Sequence, residues 1–307
     1  MIRLPASEET TISSRTAIEV FGSTFQNPIL LAAGTAGFGR EVAGLIDVGR
    51  LGGIITKAVS PEPREGNTPP RVAEFSGGML NSVGLANPGL DRVVEREIPW
   101  LERNLGSARA VFNVVGSVFD DYVTVVTRLG AEDAVTAFEL NVSCPNTDRG
   151  GEEFGADPSV LAELVRRCCE VTDKAVIPKL APDLDGIAAR VQAASEAGAA
   201  GFSVVNTIPG STYGKSFEAG TDGLFKSRLG SGPGGVSGPP LLALGLSAVA
   251  KVSAETSLPI IGIGGIREPN DVVAYLEAGA SLVAVGTAAL ADPRVPTELA
   301  EWWDRPG

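Results

Sequence analysis

Short apolar runs alternate with longer amphipathic stretches along most of this chain. Eight of these runs are five or six residues long and most are nearly continuous, as is typical of parallel strands covered on both faces. The stretches between them have the spacing of helices that bury one face. The predicted strands are residues 29–33, 53–58, 110–115, 137–142, 175–180, 201–206, 259–264 and 282–286. The predicted helices are residues 40–48, 90–104, 118–129, a helix that begins at Asp157-Pro158, 184–197, 240–254, 268–277 and 295–302.

Strict alternation of eight strands with eight helices predicts an α/β protein with the (β/α)8 TIM-barrel fold. A doubly wound open sheet is the alternative, although such a sheet does not require eight regular units. We expect one barrel domain over residues 1–307, with residues 1–17 as an N-terminal extension. Two connections, 60–86 and 208–237, are too long to be plain loops. Both follow the C-terminal ends of strands, so they predict extra strands or functional loops over that face of the barrel.

The composition of the chain argues against several classes of binding partner and cellular compartment. Hydrophobic residues make up 44% of the chain, which is enough for a sizeable core and too many for a disordered protein. A net charge of -12 argues against a nucleic-acid partner, because phosphate backbones require a basic surface. No apolar run reaches the ~18–20 residues that cross a bilayer, and the polar N-terminus does not resemble a secretory signal. With only three cysteines, the sequence predicts a cytoplasmic protein that binds no membrane and has no disulfide framework.

The absence of histidine limits the possible chemistry. The chain contains no histidine at all, which excludes Ser-His-Asp triads, Cys-His dyads and most catalytic zinc sites. A general acid or base must therefore be Cys, Asp, Glu, Lys or Tyr, and we expect no metal site.

Polar residues stand at the C-terminal ends of the predicted strands. Since these ends meet on one rim of a barrel, we expect the side chains to line one pocket. A rim rich in amides suits a planar ligand with N–H and C=O groups, because buried polar groups are costly unless they are paired. The rim residues are Thr35, Lys57, Asn113, Asn141, Cys144, Lys179, Asn206, Thr207, the glycine cluster 262–265, Gly286 and Thr287.

The glycine clusters indicate a bound phosphate. Residues 263–266 and 285–288 fall in the loops after the seventh and eighth strands, where barrels often bind phosphate through backbone N–H groups. A third cluster, residues 234–238, precedes the sixth helix and adds further donors. The sequence 262–265 does not have the Gly-x-Gly-x-x-Gly pattern between strand and helix that binds a dinucleotide. A phosphorylated barrel-bound cofactor such as FMN therefore fits better than a dinucleotide.

The chain resembles the class 1 dihydroorotate dehydrogenases, and within them the NAD-linked class 1B catalytic subunit. The resemblance runs from about residue 18 to residue 290 and rests on long motifs in a fixed order. The motifs are TAGFG at 35–39, PEPREGN at 61–67, GMLNSVGL at 78–85, NPG at 87–89, NVSCPN at 141–146, GG at 150–151, KLAP at 179–182, NT at 206–207 and the three glycine clusters.

This resemblance implies an FMN enzyme that oxidises dihydroorotate to orotate in pyrimidine (UMP) synthesis. Cys144 resembles the base that removes the C5 proton while the C6 hydride passes to FMN. Lys57 corresponds to a residue between substrate and flavin, and Lys179 to a cation near flavin N1 and O2. The implied substrate contacts are Lys57, Asn81, Ser82, Val83, Gly84, Leu85, Asn141, Asn206 and Thr207. The implied flavin contacts are Thr35, Lys57, Ala58, Asn113, Asn141, Lys179, Val205, Gly238, Gly264, Gly265, Gly286 and Thr287.

Residue chemistry agrees with these roles. Removal of a proton beside a carbonyl requires a base poised near neutral pH, and a thiolate with a lowered pKa is suitable. Lys57 could lower that pKa and could also meet the substrate carboxylate. Class 2 enzymes use serine as the base, so Cys144 separates this chain from them. Cys168 and Cys169 fall in the middle of a predicted helix, where we expect structural roles.

The same subgroup implies partners. Its catalytic subunit forms a homodimer that pairs with a second chain holding FAD and an iron–sulfur cluster, giving a heterotetramer that reduces NAD+. This chain has neither a dinucleotide fingerprint nor a four-cysteine motif of its own. The alternatives are a fumarate-linked enzyme, an FMN oxidoreductase of another pyrimidine, or a non-catalytic FMN-binding assembly subunit. The Gly150-Gly151 pair would let residues 147–155 move as a lid that admits substrate and then excludes water.

Overall fold

The computed structural model describes residues 17–143, 145–146, 152–212 and 227–305. Eight parallel strands of this part of the chain close into a barrel: β3, β4, β7, β8, β11, β12, β15 and β16 in the list that follows. The strands are β1 Ile18–Val20, β2 Ser23–Phe25, β3 Ile29–Leu31, β4 Gly53–Ile55, β5 Val72–Phe75, β6 Gly78–Asn81, β7 Arg109–Val114, β8 Ala137–Asn141, β9 Pro145–Asn146, β10 Glu152–Glu153, β11 Ala175–Leu180, β12 Phe202–Val204, β13 Ile208–Gly210, β14 Gly234–Ser237, β15 Ile260–Ile263 and β16 Leu282–Val285.

Closure of the barrel confirms the predicted TIM-barrel fold. The last strand, β16, pairs in parallel with the first, β3, with Val283 opposite Ile29. An open sheet would have left these two strands as edges, so that alternative is wrong. Each barrel strand coincides with a predicted run to within a few residues, because the apolar runs that predicted them are buried on both faces.

Helices follow most of the barrel strands. They are α1 Leu90–Arg92, α2 Ile98–Asn104, α3 Phe119–Gly130, α4 Pro158–Cys169, α5 Ile187–Glu196, α6 Leu242–Glu255, α7 Pro269–Glu277, α8 Thr287–Ala291 and α9 Val295–Trp303. A π-helical turn, Val93–Glu97, joins α1 to α2, so the predicted helix 90–104 is present as one continuous unit. None of the helices in the described ranges is both long and apolar enough to cross a membrane.

The predicted helix 40–48 is wrong. Consecutive turns occupy this segment and lead into a short 3-10 turn, Val48–Arg50. Gly44 falls in the middle of the segment, and an interior glycine weakens a helix by about 1 kcal/mol relative to alanine. Leu45 is 67% exposed, so the segment lacks the buried apolar face that could have offset this cost. Sequence reasoning also missed α8, a short helix directly after the last barrel strand.

The two long connections form a second sheet together. Strands β5 and β6 come from the connection 60–86, and β13 and β14 from 208–237. They associate as one antiparallel sheet in the order β13-β14-β6-β5, in which Leu80 pairs with Val236. Ala73, Leu80 and Leu229 give the sheet a small core of its own. The prediction of extra strands over the C-terminal face is therefore confirmed.

A hairpin of β1 and β2 lies against the apolar interior of the barrel. Its turn residues, Phe21 and Gly22, have φ of 54° and 67°, the backbone conformation of a tight hairpin turn. Phe25 is fully buried in the cluster that fills the barrel, and Ile18 and Val20 pack against the same cluster. This hairpin precedes the first barrel strand, so it closes the N-terminal end of the barrel, opposite the predicted pocket.

Candidate functional site

A cavity of about 890 Å³ lies between the C-terminal ends of the barrel strands and the second sheet. This volume is within the usual range for a site that holds a cofactor or small ligand. Barrel strand ends supply one wall, and β6 and β14 of the second sheet supply the other. The predicted site residues that line the cavity are Thr35, Lys57, Ala58, Asn81, Val83, Leu85, Asn113, Asn141, Lys179, Val205, Asn206, Thr207, Gly238, Gly264, Gly265, Gly286 and Thr287.

Two predicted substrate contacts lie beside the cavity and not in its lining. Ser82 Oγ accepts a hydrogen bond from Asn67 Nδ2 at 2.7 Å and lies 2.7 Å from Ser231 Oγ. Gly84 is exposed and has φ of 71°. Val83 and Leu85 do reach the cavity. The loop therefore meets the cavity at alternate positions, and Ser82 joins it to the segment around Ser231.

The predicted base, Cys144, lies outside the described residues. So do residues 147–151, which form most of the predicted lid and include Gly150 and Gly151. On the near side of Cys144, Ser143 lines the cavity. On its far side, β9 and β10 pair as antiparallel strands, with Asn146 opposite Glu152.

The other two cysteines have the surroundings of structural residues. Cys168 is fully buried in α4, and burial raises the pKa of its thiol to about 12. Burial also raises the pKa of the Cys169 thiol, which donates to the carbonyl of Gly198 at 3.4 Å. A raised thiol pKa leaves little reactive thiolate near neutral pH.

Hydrogen bonds orient the amide side chains at one end of the cavity. Asn206 Nδ2 donates to Ser143 Oγ at 3.1 Å and to Asn141 Oδ1 at 3.4 Å, while its Oδ1 accepts from the backbone N–H of Thr207 at 2.9 Å. The buried Tyr122 hydroxyl donates to the carbonyl of Asn141 at 2.8 Å. Sequence reasoning did not assign Ser143, although its spacing of two residues from Asn141 places both on the same side of an extended chain.

Asn81 approaches the cavity from the second sheet. Its Nδ2 donates to the carbonyl of Gly235 at 3.2 Å, across the β6–β14 pairing. This bond leaves the amide oxygen of Asn81 available on the cavity wall. The described chain therefore brings four amide side chains, those of Asn81, Asn113, Asn141 and Asn206, to one cavity.

A buried ion pair lies beneath the cavity. The Lys179 ammonium, which is almost fully buried, lies 3.6 Å from Glu139 Oε1. Asn113 Nδ2 donates to the same oxygen at 2.7 Å. Lys179 and Asn113 line the cavity, whereas Glu139 does not. Sequence reasoning gave Glu139 no role, although a carboxylate inside an otherwise apolar strand is itself a signal.

The glycine loops after β15 and β16 present backbone N–H groups to the cavity. Gly265 has φ of 77°, and a Cβ there would lie 2.7 Å from the backbone nitrogen of Leu242, so only glycine fits. None of the described residues accepts a hydrogen bond from the backbone N–H of Gly265, Gly286 or Thr287. Free N–H groups that converge in this way are typical of a site for a phosphate.

Two carboxylates on the rim were not predicted from the sequence. Glu153 and Asp183 both line the cavity. Burial raises the pKa of the Glu153 carboxyl, and the positive charge of Arg190 opposes this rise. A hydrogen bond of 3.0 Å from Arg190 lowers the pKa of Asp183. In the described ranges, no group of three metal-ligating side chains is close enough to hold an ion.

Comparison with known proteins gives one consistent family. The family model described as "Dihydroorotate dehydrogenase" matches residues 15–302. The chain is 44% identical over 289 residues to "Dihydroorotate dehydrogenase B (NAD(+)), catalytic subunit" of Geobacillus kaustophilus, a match covering 94% of this chain and 90% of that protein. A protein of the same description from Bacillus caldolyticus is 43% identical over the same shares. Another, from Listeria innocua, is 41% identical over 96% of this chain and 95% of its own length.

Proposed function

This chain belongs to the dihydroorotate dehydrogenase family, and we propose that it is the catalytic subunit that oxidises dihydroorotate to orotate in pyrimidine synthesis. The observation that carries the proposal is the convergence of Asn81, Asn141, Asn206, Lys57 and Lys179 on one cavity. These side chains offer amides to a pyrimidine ring and cations to anionic ligands. The similarity to the NAD-linked relatives extends over nearly the whole chain.

We infer that the cofactor is FMN, because the cavity offers groups that fit both its flavin ring and its phosphate. The buried ammonium of Lys179 suits the pyrimidine side of a flavin, where a positive charge favours reduction. The free N–H groups of Gly265, Gly286 and Thr287, in the loops after β15 and β16, suit the phosphate. When bound, FMN supplies the acceptor for the hydride that leaves C6 of dihydroorotate.

The residues of the chain bind the substrate and move its proton. Asn81, Asn141 and Asn206 hold the ring through amides that both donate and accept hydrogen bonds. Lys57 lies beside the substrate carboxylate and favours the thiolate form of Cys144. Cys144 removes the C5 proton, since a C–H group beside a carbonyl needs a base poised near neutral pH. The second sheet covers the cavity and limits the access of water.

The electrons then pass to NAD+ through a second chain that holds FAD and an iron–sulfur cluster. The printed names of the relatives call each a catalytic subunit of an NAD(+) enzyme, which implies another subunit in those proteins. We propose the same assembly here, with two copies of this chain and two of the partner.

Anaerobic bleaching by dihydroorotate tests the proposed activity. The purified protein should be yellow, should bleach on addition of dihydroorotate under nitrogen, and should regain its colour with NAD+ only when the partner chain is present. A colourless protein would contradict the flavin, and a yellow protein that dihydroorotate does not bleach would contradict the substrate. Recovery of colour with fumarate alone would identify the fumarate-linked alternative.

Cys144→Ala tests the assignment of the base. The variant should retain FMN but should lose flavin reduction by about two to four orders of magnitude, the usual contribution of a general base. Stopped-flow absorbance under nitrogen measures this rate. Cys169→Ala is the matched control, because that thiol lies in α4 and does not line the cavity. Near-normal reduction by Cys144→Ala would refute the assignment.

A further inference from the structure

Glu139 is a charged side chain in the interior of the barrel with no direct access to the cavity. It belongs to β8, two residues before Asn141, and is 0% exposed. Successive residues of a strand alternate between faces, so Glu139 shares the inward face of β8 with Ala137 and Asn141. Ala137 belongs to the apolar cluster that fills the barrel. Glu139 therefore lies between that apolar filling and the polar floor of the cavity.

Both described polar partners of Glu139 reach the cavity. Glu139 Oε1 accepts a hydrogen bond from Asn113 Nδ2 at 2.7 Å and lies 3.6 Å from Lys179 Nζ. Its second oxygen, Oε2, has no hydrogen-bond partner among the described residues. Asn113 and Lys179 both line the cavity and are both among the residues that we assign to the flavin. Glu139 is thus one contact away from the proposed cofactor on two sides.

Packing alone does not account for a carboxylate at this position. Its neighbours in register are Ile177 on β11 and Asn113 on β7, and Ile177 shows that an apolar side chain is accommodated at this level of the barrel. A buried charge is costly unless it is paired, and a buried ion pair is often no more stabilising than well-packed apolar residues. Stability therefore does not explain why this position carries a carboxylate. Asn113 and Lys179, the described partners of Glu139, both line the proposed flavin site.

We infer that Glu139 is a positioning residue that fixes Lys179 and Asn113 against the flavin and sets the redox potential of that flavin through its own charge. This inference rests on the proposed FMN site. Lys179 and Glu139 together carry no net charge, so the flavin faces an oriented pair of charges in place of an isolated cation. Reduction adds electrons to the flavin, and a positive neighbour favours it while a negative neighbour opposes it.

The sign of each substitution follows from this arrangement. Glu139→Gln keeps the shape of the side chain and removes the negative charge, so the Lys179 cation acts alone and the midpoint potential of bound FMN rises. Lys179→Gln removes the cation and leaves Glu139, so the potential falls. The double variant removes both charges, and its potential lies between those of the two single variants.

Anaerobic titration with reference dyes measures these potentials on the FMN-bound protein. For Glu139→Gln we expect reduced FMN to be favoured over oxidised FMN by at least tenfold more than in the wild type, which is about 30 mV for a two-electron couple. Ser203→Ala is the matched control. Ser203 is fully buried at the level of Lys179, which it faces in register, but it carries no charge. The control should leave the potential unchanged.

The outcomes separate this inference from the proposed function. A colourless wild-type protein would contradict both, whereas a yellow wild type with an unshifted or lowered potential in Glu139→Gln would contradict the inference alone. If Glu139→Gln does not fold, because Lys179 is left without a counter-charge, the double variant is compared with Lys179→Gln. The inference requires a higher potential in the double variant, and equal potentials would overturn it.

Discussion

Single polar residues at the cavity are fixed by bonds to the protein itself. The Asn141 backbone is held by the Tyr122 hydroxyl at 2.8 Å, and the Asn206 amide is held at three of its positions by Ser143, Asn141 and Thr207. Side chains fixed in this way lose little freedom when a ligand binds. The cavity is therefore organised for a ligand by its own hydrogen bonds.

Asn206→Ala tests this organisation at the scale of one residue. It removes an amide that we assign to the pyrimidine and also releases Asn141 and Ser143. Lost hydrogen bonds of this kind cost about 1–3 kcal/mol, so we expect KM for dihydroorotate to rise about tenfold or more. FMN content should not change. Steady-state kinetics measures KM, and Asn104→Ala at the exposed end of α2 serves as the control. An unchanged KM would show that Asn206 does not contact the substrate.

Elements meet at the glycine loops, where a strand end, a loop and a helix come together. Strand β15 ends at Ile263, and two glycines with positive φ turn the chain towards the start of α6. Gly265 lies so close to Leu242 that a side chain would collide with the backbone there. This close approach brings the backbone N–H groups of the loop to the cavity, as a phosphate site requires.

Gly265→Ala tests the role of this contact. We expect the variant to lose FMN during purification, because the new Cβ must push the loop away from Leu242. Gly77→Ala is the matched control, since Gly77 has φ of 92° but no atom within 4 Å of the added Cβ. In both variants the alanine must adopt a left-handed backbone conformation, which destabilises the fold by about 1–2 kcal/mol. The ratio of flavin to protein absorbance measures how much FMN each variant retains. Equal retention in the two variants would contradict the assignment of this loop to the phosphate site.

At the scale of the whole molecule, residues that stabilise the fold and residues of the candidate site lie at opposite ends of the barrel. The hairpin of β1 and β2 fills the N-terminal end with apolar side chains, and the second sheet covers the C-terminal end around the cavity. This division is general in TIM barrels, where the C-terminal face carries the active site and the opposite face contributes to stability. Substitutions at the two ends should therefore have separable effects.

Phe25→Ala tests this separation. Phe25 is fully buried against the interior of the barrel, and its ring meets Phe21 edge to face at 6.4 Å. Truncation should lower the free energy of unfolding by about 3–5 kcal/mol, as measured by urea denaturation, while the rate of flavin reduction changes little. Leu45→Ala, at an exposed leucine, should stay within about 0.5 kcal/mol of the wild type. Loss of reduction in a folded Phe25→Ala protein would contradict the separation.

The barrel strands and the start of α4 could be predicted because each depends on residues that are close together in the sequence. The barrel strands follow from apolar runs, and α4 begins directly after Asp157 because the Asp157 side chain accepts hydrogen bonds from backbone N–H groups of the first turn. Most predicted cavity residues were found because strand ends of a barrel share one rim. The helix predicted at 40–48 failed because apolar spacing does not reveal whether a face will be buried, and Leu45 remains exposed.

By itself, the sequence determined the barrel, the C-terminal face that carries the candidate site and the residue types that reach this face. Only the tertiary structure decided which distant segments pair. It joined the connections 60–86 and 208–237 into one sheet, and it brought Glu139 to Asn113 and Lys179 across neighbouring strands. The physical reason is that strand register and sheet order depend on contacts between residues far apart in the chain, which no local pattern encodes.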